Sequence, residues 1–235
     1  MNHCLFRNAA IRRHATAAKN KINENLLYLC HFDGNIENAG LYESSVFNQY
    51  ETTFDSTNYK FGTSSFAEDR RKKIIQLTFS AQLGRKLTVD FWYITTNDVP
   101  NSSTQDLVSV GLYPVYCIAF ENHKEHPDLA GYTIRDGSSY FYEGSFSKYH
   151  SSTWTHIAMT YDGNAFRFFS NGVLKCCFLT DHVFLYPHAN TFVFNRLLPF
   201  RLDEFRCLRN ECAWISNFTP PSAPYNGTEN YIRVT

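Results

Sequence analysis

The chain has 235 residues, 43% hydrophobic and 19% charged, a globular composition that excludes wholesale disorder. Its 22 Lys and Arg balance 22 Asp and Glu, so the formal charge is zero and gives no electrostatic case for nucleic acid as the main partner. Phe and Tyr dominate the aromatics, 21 and 15 against 3 Trp, and such side chains suit a pleated, half-buried surface.

The charge is unevenly spread. Residues 1–24 hold Arg7, Arg12, Arg13, Lys19 and Lys21 against Glu24 alone, a net +4 that leaves −4 for the remainder. Asn8 is placed to cap a helix from about Ala9 to Ile22. Its apolar face is too thin to hold a helix by itself. The segment is expected as a short helical or extended arm that orders against a partner or a second copy, with a frayed terminus and a transit-peptide-like leader as alternatives. No apolar core follows the basic residues and no run reaches the ~18 apolar residues of a membrane span, so neither a secretory signal nor a span is expected.

From Leu26 onward the texture is strand after strand. Leu26–Phe32 stops at Asp33-Gly34; Lys73–Phe79, Lys86–Ile94, Asp106–Leu112, Val115–Phe120 and Tyr132–Arg135 follow, with Gly, Pro and Asp-Gly breaks between them. Short strands at such spacing indicate a sandwich or barrel, and residues 25–235 read as one domain. The strongest local signal runs from Trp154 to Leu179. Asp162-Gly163-Asn164 and Asn171-Gly172 separate three apolar runs, and tight turns need the positive φ that Gly and Asn tolerate, so an antiparallel meander is predicted. Period two places Phe166, Phe168 and Ser170 toward the core and Arg167 and Phe169 outward. Three prolines between Asn217 and Tyr225 exclude helix and central strand, leaving an extended strap.

Seven cysteines, at positions 4, 30, 117, 176, 177, 207 and 212, form no C-x-x-C and no disulfide framework. They read as reduced thiols serving as small buried hydrophobes, which favours assembly in a cytoplasm. Cys207 and Cys212 lack the second pair a zinc site needs. Three sequons, at Asn101, Asn217 and Asn226, matter only in a secreted eukaryotic chain.

Several segments together resemble the laminin-G-like, concanavalin A-like domains. They are Leu29-Cys-His-Phe-Asp-Gly, Tyr59-Lys-Phe-Gly-Thr-Ser-Ser-Phe, Leu87-Thr-Val-Asp-Phe-Trp, the Trp154–Val173 meander and Arg201-Leu-Asp-Glu-Phe-Arg, in the family's order. The ending Trp214-Ile-Ser-Asn-Phe-Thr-Pro-Pro-Ser-Ala-Pro-Tyr is similar to that of copies in bacteriophage virion proteins. The resemblance implies an all-β, two-sheet antiparallel jelly-roll sandwich. It also implies a non-enzymatic virion protein, a fibre or capsid decoration, located on the virion and assembled in the host cytoplasm. Its expected partners are other virion proteins, met through residues 1–24, and a cell-surface glycan, with a homo-oligomer such as a trimer as the assembled form. A free lectin module and a glycan-active enzyme are the rivals.

Glycan-hydrolysing relatives of the resembled sandwich carry two or three acids alternating along one strand, where i and i+2 share a face, and no such Glu-x-Asp-x-x-Glu spacing exists here. Asp203 and Glu204 are adjacent, so they read as structural. The cluster His123, Glu125, His126 and Asp128, with Glu121, reads as a solvated loop. By resemblance Asp33 and Asp203 are the positions for a structural calcium, an ion that takes six to eight oxygens; no other cofactor is expected. Exposed aromatics suited to a sugar face are Phe169, Tyr140, Phe141, Tyr142 and Tyr149.

Overall fold

A computed structural model describes residues 22–48, 52–68, 75–95, 105–110, 118–122, 129–136, 139–148, 152–179, 190–194 and 200–229. These residues form an all-β, two-sheet antiparallel sandwich with no helix among them. The predicted arm, with Arg7, Arg12, Arg13, Lys19 and Lys21, lies outside the described residues. Among those described, no helix is long and apolar enough to cross a membrane.

The first sheet holds eight strands. They are β1 (Leu26–Cys30), β3 (Thr53–Asp55), β4 (Ser65–Glu68), β6 (Leu87–Thr95), β11 (Thr155–Tyr161), β12 (Ala165–Ser170), β13 (Val173–Leu179) and β15 (Phe200–Arg209). Their order is β13-β12-β11-β6-β15-β4-β3, with β1 also pairing β15. The second sheet runs β10 (Ser139–Lys148), β9 (Leu129–Asp136), β8 (Ile118–Asn122), β7 (Gln105–Val110), β14 (Thr191–Phe194), β5 (Ile75–Phe79) and β2 (Ser44–Asn48).

The core between the sheets is aromatic. Phe91 on β6 meets Phe120 on β8 edge-on at 5.2 Å, and Phe205 on β15 meets Phe192 and Phe194 on β14 at 5.4 and 4.8 Å. Edge-to-face pairs at such spacing add attraction beyond the area they bury. The predicted meander is present, with Met159 opposite Phe168 and Phe168 opposite Cys176. Phe166 and Phe168 join the inter-sheet core and Ser170 is buried with them.

β6 and β11 are buried on both faces, which the sandwich alone does not explain. The outer face of the first sheet is covered by residues 211–229, a strap that extends the one predicted between Asn217 and Tyr225 at both ends. Thr88 Oγ1 donates to the Glu211 carbonyl and accepts from Ala213 N, both at 2.9 Å. Thr160 Oγ1 donates to the Trp214 carbonyl, and Phe218 N to the Gly172 carbonyl. The prolines leave the strap's own backbone unpaired with itself, so the sheet's hydroxyls and turns satisfy it.

Of the described cysteines, Cys30 and Cys207 are buried as expected, whereas Cys176 is half-buried and Cys177 exposed. The difference follows from β13 being an edge strand, whose outward side chains meet solvent. Burial pushes the Cys30 thiol up to about 12, so it is inert at neutral pH.

Candidate functional site

One end of the first sheet gathers four distant segments around a cleft of about 750 Å³. The ladder brings them together: Leu87 at the start of β6 lies opposite Tyr161 at the end of β11 and Arg209 at the end of β15, while Leu26 lies opposite Leu208. The turn after β11 contributes Asp162 and Asn164, β12 contributes Arg167, the end of β15 gives Asn210 and Glu211, and Asn25 and Lys86 complete the polar wall. Cys212, Ala213 and Ile215, at the start of the strap, supply its apolar side.

Several of the wall residues are held by the frame. Asp162 Oδ1 accepts from the N–H groups of Asn164 and Ala165, both at 2.8 Å, which closes the turn that Gly163 makes at φ 100°. Its Oδ2 takes the Arg167 guanidinium at 2.7 Å. Burial would raise the Asp162 pKa, but the Ala165 N–H and Arg167 outweigh it and hold the carboxyl below its usual range. Asn210, itself at φ 54°, accepts from Arg85 N at 3.0 Å. Gly84 leaves room for it, since a Cβ there would sit 1.8 Å from Asn210 Oδ1. Glu211 Oε2 accepts from the amides of Asn25 and Asn23 at 2.9 and 3.1 Å. Among the described residues, the Lys86 ammonium, the Asn164 side-chain amide, Asn210 Nδ2 and Glu211 Oε1 keep unused hydrogen-bonding capacity. Pockets of this size are usually mostly apolar with a few polar groups. Here polar and apolar surface line the cleft about equally, so it suits a ligand that carries hydroxyls as well as an apolar face.

Beside the cleft, the strap seals a polar layer. Asp90 on β6 is fully buried and accepts from Arg206 Nε at 2.9 Å, from His156 Nε2 at 3.2 Å and from the Tyr225 hydroxyl. Burial holds the His156 pKa below its usual value, so the ring is neutral with its proton on Nε2. Trp214 and Phe218 stack at 3.8 Å over this layer. No ligand has access to it while the strap is in place.

The residues predicted for a sugar face fall elsewhere. Phe169 does point to the outer side of its sheet, but it is 0% exposed because Phe218 of the strap packs on it, with ring centroids 5.3 Å apart. It therefore offers no ring to solvent, and the strap is the reason. Tyr140, Phe141 and Tyr142 lie on β10, an edge strand of the second sheet, and Tyr149 lies outside the described residues. His123, Glu125, His126 and Asp128 are outside them too, and Glu121 is on β8.

Asp33 and Asp203 both grip the loop after β3. Asp33 Oδ1 accepts from the N–H groups of Thr63 and Ser64, and Asp203 Oδ2 from those of Lys60 and Phe61 at 2.7 and 3.1 Å. Among the described residues, no group of three or more His, Cys, Asp or Glu could hold a metal. Glu204, at φ 51° in a bulge of β15, accepts from Tyr225 N and pairs with His31 Nδ1 at 2.8 Å. The adjacent acids serve separate contacts, but not through alternation: the bulge breaks the period of two, so that Leu202 and Phe205 enter the core while Asp203 and Glu204 both stay outside it. The cleft itself went unpredicted; only its Asp-Gly-Asn turn was visible locally.

No protein-family model and no curated protein matches the chain. Among solved structures, it is similar to the receptor binding domain of botulinum neurotoxin D, at 12% identity and a TM-score of 0.65, over 80% of this chain and 50% of that one. The receptor binding domain of the C/D mosaic serotype gives 13%, 0.63, 88% and 50% in the same order. A botulinum neurotoxin type C structure, described through its interaction with two ganglioside molecules, gives 11%, 0.62, 89% and 50%. The chain spans about half the length of these neighbours. At such identity the likeness is one of fold, and the fold is the β-sandwich.

Proposed function

We propose that the chain is a non-catalytic carbohydrate-binding β-sandwich whose ligand is held in the cleft between the β11–β12 turn and the start of the strap. The observation that carries this reading is the set of unused donors and acceptors on Lys86, Asn164, Asn210 and Glu211, each on a residue fixed by the sheet or its turns. Sugars are recognised by such planar amides and charged groups acting on adjacent hydroxyls. A binding role for the fold is supported by neighbours whose descriptions name two ganglioside molecules and a complex with SialylT. Hydrolysis would require a protonated carboxyl as the acid, and Asp162, held below its usual range, does not suit that role. A glycan array probed with the whole chain tests the reading. Binding lost on Asn164→Ala supports it, and binding unchanged by every cleft substitution would place the ligand elsewhere.

A finer reading is that the module is displayed on a virion of the phage type, concanavalin A-like in ancestry, anchored by residues 1–24 and assembled as a homo-oligomer. It is supported by the Pro-rich ending and by the net +4 of a segment that belongs to no strand pattern. Deleting residues 2–24 should leave a folded sandwich that no longer enters particles. Normal incorporation of the truncated chain would rule the anchoring out.

A further inference from the structure

We infer that the cleft selects uncharged, hydroxyl-rich glycan termini and discriminates against anionic ones such as sialic acid; this rests on the carbohydrate-binding reading. The argument is one of charge and of which groups are already engaged. Among the described residues, four ionic side chains line the cleft, two of each sign. Arg167 and Asp162 neutralise each other at 2.7 Å. That leaves the exposed Lys86 ammonium, which makes no ion pair with any described residue, and the Glu211 carboxylate, whose Oε2 is tied to Asn23 and Asn25 while Oε1 remains open.

An ammonium and a carboxylate on one wall treat the two ligand classes differently. A neutral sugar can use both, one hydroxyl oxygen accepting from Lys86 Nζ and another hydroxyl donating to Glu211 Oε1. Both contacts are charge-assisted and neither buries a ligand charge. A carboxylated sugar keeps its hydroxyls, but its carboxylate gains from Lys86 alone and faces Glu211 and Asp162 as like charges. It must also give up the hydration of its own carboxylate. The amides are indifferent, since Asn164 can both donate and accept. Among the described residues, no second unpaired cation lines the cleft to tip the balance toward anions.

The test uses the full-length chain on an array of matched pairs, each neutral glycan printed with and without a terminal sialic acid, followed by titration of the best pair. The neutral member is expected to bind about tenfold tighter, the worth of one charge-assisted hydrogen bond. Its affinity should stay flat between about 0.05 and 0.5 M salt, because no net charge is exchanged. Lys86 is exposed and unpaired, so Lys86→Met should fold normally and weaken neutral binding by a similar factor. Glu211→Gln should narrow the gap between the pair by helping the sialylated member. Tighter binding of the sialylated members overturns the charge inference and leaves the carbohydrate-binding reading standing. Silence of every pair overturns that reading, and the inference with it.

Discussion

Asp90 and Arg206 face each other from neighbouring strands β6 and β15, Oδ1 to Nε 2.9 Å, in a place where both are within 1% of full burial. The pair exists because the strap closes over an outer sheet face that carries polar side chains. Burial alone would raise the Asp90 pKa, but the Arg206 charge and the bonds from His156 and Tyr225 outweigh it and keep the carboxyl ionised. Arg206 in turn lies against the Tyr225 ring, 3.7 Å from guanidinium carbon to centroid. The sheet and strap are therefore joined by charge as well as by packing.

Removing one partner strands the other in a dry site. Arg206→Met should cost about 3–5 kcal/mol in urea unfolding, because Asp90 is left as an uncompensated buried charge. The double substitution Asp90→Leu with Arg206→Met should recover much of that loss, since apolar replacements of a buried pair are often neutral. A double-mutant cycle with no coupling between the two would contradict the described burial.

The strap's attachment can be probed more gently at Tyr225. Its hydroxyl donates to Asp90 Oδ2, and its N–H to Glu204 Oε2 at 3.0 Å. Tyr225→Phe keeps the ring under Arg206 but removes the first bond, so a loss of about 1.5–3 kcal/mol is expected, as for hydrogen bonds to charged groups. Hydrogen exchange should show residues 211–229 opening more readily while the inter-sheet core stays protected. Uniform loss of protection across both sheets would mean that the strap does not open as a separate unit.

These relationships also show what the chain's order of residues conceals. The meander was legible because Asp162-Gly163 and Asn171-Gly172 state their turns locally, and the alternation of Phe166 and Phe168 is a period-two pattern. The strap's extended form was legible from its prolines. Its seat was not, because nothing at Pro220 or Tyr225 reveals which face they cover, and so Phe169 read as exposed. The cleft was invisible for the same reason: Asn25, Lys86, Asp162 and Glu211 converge only through the pairing of β1, β6, β11 and β15. The short strands β3 and β14 carry too few residues for a periodic signal.

Two glycines separate backbone strain from steric contact. Gly34 and Gly172 have nearly equal φ, 76° and 74°. A Cβ on Gly34 would meet nothing within 4 Å, whereas one on Gly172 would sit 2.0 Å from the Phe218 carbonyl oxygen. Gly34→Ala should therefore cost only the left-handed backbone penalty, about 1–2 kcal/mol. Gly172→Ala should cost clearly more and loosen the strap, whose Phe218 N–H donates to the Gly172 carbonyl. Equal losses of melting temperature for the two variants would show that the strap does not press on the turn.

Two histidines should contribute limbs of opposite sign to the pH dependence of stability. The hydrogen bond from His31 to Glu204 raises the His31 pKa above 6.5, against a smaller effect of burial. A raised folded value means the folded state holds its proton more tightly. The contribution is full below pH 6.5 and is lost as pH climbs through the folded value. His156 is the reverse case, because burial depresses its pKa below 6.5 despite the bond to Asp90. Its neutral form is the folded form, so stability is full above pH 6.5 and falls as pH drops toward the folded value. Burial pushes the Asp203 carboxyl up to about 7, a third contribution that is lost as pH rises from 3.8 to that value, so each histidine is read from the difference between the wild-type and variant melting profiles between about pH 5 and pH 8.5. His31→Gln should flatten the alkaline limb alone, and His156→Gln, which can still donate to Asp90, the acid limb alone. If His156→Gln left the decline between pH 6.5 and 5 unchanged, the acid limb would belong to the carboxylates and the imidazole would not be the buried neutral group described.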